Sequence, residues 1–127
     1  MKLVMLSQDT VEASEPFLPA QEKIVSGHPQ QQVWQHYSNQ GRVFHAGVWQ
    51  SDIGKWNVNY TEEEYCHILE GVSVVTDTFG TSTILKVGDH FVVPAGFNGT
   101  WEVVEPTKKS MWCMRKVWQS LKMPKAF

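Results

Sequence analysis

Glu64 is the centre of the chemistry this sequence can offer. It opens a β-like run, Glu64-Tyr65-Cys66-His67-Ile68-Leu69, just after a strictly alternating segment, Lys55-Trp56-Asn57-Val58-Asn59-Tyr60. Residues two apart in a strand share a face. Lys55, Asn57 and Asn59 therefore form one face and Trp56, Val58 and Tyr60 the other, while Glu64 shares its face with Cys66. A carboxylate can accept a ligand proton or hold an amine. The plainer role is structural, with Glu64 bonding backbone donors or Lys55. An enclosed carboxylate without a partner must raise its pKa and protonate. Cys66 and His67 are adjacent and point to opposite faces, so they form no nucleophile–base pair. Gly96-Phe97-Asn98-Gly99 lacks the Lys-Ser/Thr and the helix of a phosphate loop.

The five histidines, His28, His36, His45, His67 and His90, contain no pair with metal-ligand spacing. His67 and His90 fall out of phase with Glu64 and belong on an outer face. His45 lies where it can reach a cavity mouth. Of the six tryptophans, most should fill core or interface. Trp49 and Trp101 are the exceptions, because an indole with a single N–H donor suits the wall of a small-molecule pocket.

The elements that must position these residues are short strands. From Arg42 onward, β-like runs alternate with turn residues: 42–50, 55–60, 64–69, 72–79, 81–87, 90–93, 99–104 and 111–118, with Gly54, Gly71, Gly80, Gly88 and Pro94-Ala95-Gly96 between them. Strands at such spacing predict a sandwich or barrel. Gly71 and Gly80 are placed for strand reversals, Gly88-Asp89 for a tight corner, and Pro94-Ala95-Gly96 for a loop, since Pro donates nothing to a ladder. Residues 1–41 are polar and broken by Pro16, Pro19 and Pro29. They read as an irregular arm with short strands at 23–26 and 33–37.

Two segments carry a family resemblance. Glu64-Tyr65-Cys66-His67-Ile68-Leu69-Glu70-Gly71 and Gly88-Asp89-His90-Phe91-Val92-Val93-Pro94-Ala95-Gly96-Phe97-Asn98-Gly99-Thr100-Trp101 resemble the two motifs of the cupin superfamily. The chain is most similar to the single-domain family related to ureidoglycine aminohydrolase and to the ethanolamine-utilisation cupin domain. Gly47-Val48-Trp49-Gln50, Gly54-Lys55, Trp101-Glu102 and Lys108-Lys109 extend the likeness, as do Gly27-His28-Pro29, Trp34 and Tyr37 upstream. The resemblance implies an all-β fold, the cupin double-stranded β-helix or jelly-roll barrel. It implies an N-terminal arm (1–41) packing on the barrel (42–118), then a C-terminal tail (119–127). The three histidine positions of the motifs carry Asn57, Asn59 and Gly99. A first-row metal in such a barrel wants imidazoles plus a carboxylate, so neither a metal nor another cofactor is expected. The resemblance also turns the Asn face inward. Asn57, Asn59, Glu64 and Trp101 should then line one cavity, with Lys55 and Trp49 close by and Lys55 as the partner of Glu64.

Composition narrows the partners. The chain has 127 residues, suited to one domain, and a net charge of −2 without a basic block. Nucleic acid is not an expected partner, and no apolar run approaches the ~20 residues of a membrane span. Cys66 and Cys113 make no disulfide framework, and a cytoplasmic location is the default. Together these features predict a cupin-domain protein without the usual metal histidines, binding a small polar or nitrogen-containing metabolite. The alternatives are an enzyme of isomerase, epimerase or amidohydrolase type with Glu64 catalytic, or a structural dimerisation module. The histidine set of ureidoglycine aminohydrolase itself does not map onto these positions. A homodimer is expected, since Trp34, Trp112 and Trp118 are hard to hide on one small barrel.

Overall fold

The computed structural model describes residues 1–7 and 10–115 and has no α-helix among them. Eight strands follow in order: β1 (Ile24–Gly27), β2 (Gln31–Ser38), β3 (Phe44–Ser51), β4 (Gly54–Asn59), β5 (Glu63–Asp77), β6 (Ser82–Lys86), β7 (His90–Val93) and β8 (Asn98–Met114). All pairings are antiparallel. The first half of β5 lies between β7 and the second half of β8, which continues to β3 and β2. The second half of β5 lies between β6 and the first half of β8, which continues to β4 and β1. Two sheets thus share two long bent strands, and their inner faces enclose the core. Trp49, Trp56, Val58, Ile68, Leu85, Trp101 and Val103 fill it.

The sequence reading broke both long strands where the structure bends them. Gly71 does not reverse the chain. It has φ +85° inside β5, at a series of register shifts against β8. A Cβ there would stand 2.0 Å from the Pro106 carbonyl oxygen, so only glycine lets the two strands touch at the bend. Pro106 occupies the matching corner of β8, outside the paired register, where its missing N–H is no loss. The corners at Gly80 and Gly88-Asp89 fall where the sequence suggested. Asp77 Oδ1 accepts the N–H of Phe79 and of Thr81 at the β5–β6 reversal, and Asp89 Oδ2 accepts the Lys86 N–H at the next corner.

The arm is more regular than expected and joins its own barrel. β1 pairs with β4, and β2 pairs with β3 along its whole length. This pairing brings Gln31 opposite Ser51 and covers an otherwise open sheet edge. Residues 116–118 of the expected barrel, Trp118 among them, and the expected tail 119–127 lie outside the described residues.

Candidate functional site

β5, β8 and β3 run side by side inside the barrel, in a register that sets Glu64 opposite Cys113, and Lys109 opposite both Ile68 and Trp49. Interior parity then brings Glu64, Cys66, Lys109 and Cys113 together. The Lys109 ammonium lies 2.8 Å from Glu64 Oε2, with both side chains almost wholly buried. It also stands over the faces of two indoles, 4.7 Å from the Trp49 ring and 4.3 Å from the Trp101 ring, a cation–π cage in a water-poor setting. Cys66 Sγ donates to Glu64 Oε2 at 3.1 Å and Cys113 Sγ to Oε1 at 3.4 Å.

The electrostatics follow from this geometry. Burial pushes the Glu64 pKa up, but the Lys109 charge and the hydrogen bonds from Lys109, Cys66 and Cys113 outweigh it and hold the carboxyl below its usual range. Burial likewise disfavours the Lys109 ammonium. The negative charge of Glu64 more than compensates and raises the Lys109 pKa above its ordinary value. Both thiols are pushed up to about 12, mainly by burial, with Glu64 adding to the rise. They therefore act as S–H donors rather than thiolates at neutral pH. Burial also raises Tyr60 above the usual phenol range.

Tyr60 is fixed by backbone. Its N–H donates to the Phe97 carbonyl (2.8 Å), and its carbonyl accepts the Gly96 N–H (2.6 Å). The Pro94–Phe97 loop is thereby tied to the end of β4. Tyr60, Trp49, Trp56, Val58, Glu64, Trp101, Lys109 and Met111 line an inner cavity of about 170 Å³, closed on one side by Gln31 from the arm. The Gln31 Oε1 accepts the Trp49 indole N–H at 3.0 Å. Its Nε2 and the Trp101 Nε1 are buried and have no hydrogen-bond partner among the described residues. An outer recess of about 310 Å³ shares Gln31, Trp56, Val58 and Tyr60 with the cavity and is bordered by Pro19, Ala20 and Lys23 of the arm. It forms the vestibule.

The structure brings three of the six expected ligand-binding residues together: Glu64, Trp101 and Trp49. It moves the other three out of the cavity, correcting the phase of β4. Trp56 and Val58 are buried, and Asn57 and Asn59 are exposed on the opposite face. Asn59 Nδ2 donates to Asn98 Oδ1 there, and both Asn57 and Asn59 reach only the vestibule and the outer surface. Lys55 shares that outer face, in register with Glu102, so Lys109 takes the place expected for it beside Glu64. The physical reason is the apolar face of β4, which must be covered whatever spacing a motif suggests.

Lys109 and Gln31 were missed as site residues. Lys109 had a usable signal, because two consecutive lysines in one strand send one ammonium to each face. Lys108 takes the outer face and pairs with Glu70 at 2.8 Å. Gln31 had none, since it sits within a run of three glutamines in a polar arm. His67 and His90 face each other on the outer surface, with the Tyr65 hydroxyl 3.0 Å from His90 Nδ1. His45 is opposite Cys113 in the β3–β8 register, at the end of the interior face.

The donor set does not suit a transition metal. Glu64 already serves an ammonium and two thiols, and the inward residues of β4 are Trp56 and Val58. A side chain at Gly99 would place its Cβ 2.1 Å from the Thr76 carbonyl oxygen. Among the described residues no three His, Cys, Asp or Glu side chains are grouped to hold an ion. Elemental analysis of untagged protein is therefore expected to find far less than one Mn, Fe, Ni or Zn per chain; one equivalent would overturn this.

Residues 38–110 match the EutQ-like cupin domain, and the chain belongs to that family. Solved structures agree on the fold. A protein of unknown function of the DUF861 family from Pseudomonas syringae pv. tomato superimposes with a TM-score of 0.72 at 21% identity, over 82% of this chain and 44% of its own. This chain therefore spans less than half the length of that protein. A putative ethanolamine utilization protein Q from Salmonella typhimurium gives 0.62 at 16% identity, covering 83% of this chain and 97% of its own. A predicted oxalate decarboxylase from Thermotoga maritima gives 0.65 at 15%, covering 90% and 99%. Comparison with curated proteins finds no match. No helix among the described residues is long and apolar enough to cross a membrane.

Proposed function

We propose that this cupin binds a small polar metabolite inside its barrel, at the Lys109–Glu64 pair. The observation that carries this reading is the inner cavity itself. A purely structural barrel would fill its centre with side chains, whereas about 170 Å³ stays open against a buried ion pair. Binding is favoured over catalysis by the same groups. A general acid or base works best with a pKa near the operating pH. Here Glu64 is held low, Tyr60 and both thiols are held high, and Lys109 is raised, so none is poised to exchange a proton near neutrality. Two free thiols accord with a reducing, cytoplasmic setting.

A thermal-shift screen against a panel of small metabolites, read alongside tryptophan fluorescence, tests the reading. At least one compound should raise the melting temperature and perturb the emission of Trp49 and Trp101. A panel that changes neither would sink it.

The protein is further proposed to be a homodimer. Support comes from the outer face of β3, β5 and β8, where Phe44, Tyr65 and Trp112 stack next to His67 and His90 and remain partly open to solvent. Light scattering at micromolar concentration should give twice the chain mass of 14.5 kDa; the single-chain mass would refute it.

A further inference from the structure

We infer that the ligand class of this cavity is a short-chain carboxylate, held by Gln31, Trp101 and Lys109; the inference rests on the small-molecule reading above. The polar side chains of the residues that line the cavity are unequally used. Glu64, the one strong acceptor there, is already engaged by Lys109, Cys66 and Cys113. The donors are not all engaged. Gln31 is 6% exposed and Trp101 1%, yet Gln31 Nε2 and Trp101 Nε1 have no acceptor among the described residues. The Gln31 amide cannot flip to escape this, because its oxygen is held by the Trp49 N–H. Lys109 gives its hydrogen bond to Glu64 and rests over the Trp49 and Trp101 rings, so it offers an arriving acceptor positive charge more than a free donor.

A buried donor left unmade costs the fold its full desolvation penalty, so an arriving acceptor is rewarded and an arriving donor is not. A carboxylate, with two oxygens and about four lone-pair sites, matches an amide N–H, an indole N–H and an ammonium at once. An amine would find only a carboxylate that is already satisfied. Access has the same sign. Lys23 borders the vestibule, and a cation at an entrance attracts anions. The indole and aliphatic walls, Trp49, Trp56, Val58 and Met111, suit a short apolar tail. The volume of about 170 Å³, roughly that of six waters in the liquid, suits a ligand of a few carbons.

The test compares three three-carbon probes: propionate, its neutral isostere propionamide, and propylamine. Each is titrated into the full-length protein at constant ionic strength, with melting temperature and tryptophan fluorescence as readouts. Propionate is expected to bind most tightly and propylamine not at all. Gln31→Glu keeps an acceptor for Trp49 but replaces the free donor with a negative charge; it should weaken propionate by at least about tenfold, as should Trp101→Phe, which removes the indole N–H donor along with part of the ring over Lys109. Propylamine binding in place of propionate would overturn the ligand class while leaving a small-molecule site intact. Equal propionate affinity in wild type and Gln31→Glu would overturn the assignment of these donors. Failure of all three probes, with hits for other polar compounds in the wider panel, would overturn the carboxylate alone. Failure of the wider panel too would remove both readings.

Discussion

Lys109→Met is expected to lower the unfolding free energy by about 3–5 kcal/mol, because it leaves the Glu64 carboxylate buried without its counter-charge. Denaturant titration at neutral pH measures the loss directly. The double variant Glu64→Leu/Lys109→Met should recover most of it, since replacing both partners of a buried pair by apolar groups is often neutral or stabilising. A double variant no more stable than Lys109→Met would show that the pair is not what the single change breaks. The pH dependence carries the signature of the pair. Glu64 is lowered from 4.5, so its contribution is fully present above about pH 4.5 and is lost as the pH falls towards its folded pKa. Lys109 is raised from 10.5, so its contribution is present below about pH 10.5 and is lost as the pH rises through its folded pKa. Stability from the pair should thus be flat across the neutral range. In Lys109→Met, burial of Glu64 is opposed only by the two thiol hydrogen bonds, so the carboxyl protonates more readily and the deficit against wild type should shrink in acid.

Gly71→Ala is expected to be comparably damaging, at about 4 kcal/mol, adding left-handed backbone strain to a clash at a strand crossing. Gly80 is the natural control. It has the same φ of +85°, but a Cβ there meets nothing within 4 Å. Gly80→Ala should therefore show only the conformational part, about 1–2 kcal/mol. Urea midpoints of the two variants separate the terms. Equal losses would mean that the contact with Pro106 is unimportant.

The corners at Gly80 and at Gly88-Asp89 and the Pro94 loop were legible because local backbone chemistry decides them. The interior position of Glu64 and Cys66, and of Trp49 and Trp101, was legible from strand parity together with the motif resemblance. The phase of β4 was not. Alternation separated Lys55, Asn57 and Asn59 from Trp56 and Val58, but the motif spacing turned the polar set inward. A shift of one residue exchanges the two faces completely, and burying apolar surface was the stronger constraint. Gln31 was illegible for a different reason. Its role depends on the arm pairing with β3 and on an acceptor bond to Trp49, neither of which any local pattern announces. The unbroken length of β5 and β8 was hidden as well, since glycine and proline look like chain breaks whether they end a strand or bend it.

The sharing of β5 and β8 between both sheets also governs how the chain assembles. β8 follows every other strand, yet β3, β4 and β5 all pair with it, over separations such as Glu64 to Cys113 and Gly54 to Val103. Neither sheet has a complete set of neighbours until β8 arrives, so large loops must close before the contacts that reward them form. Folding should accordingly be a single late event on the millisecond-to-second timescale of non-local β topologies. Until then, the unpaired edges of β3, β4 and β5 are exposed to other chains, and this interval is the one in which aggregation competes with the native route.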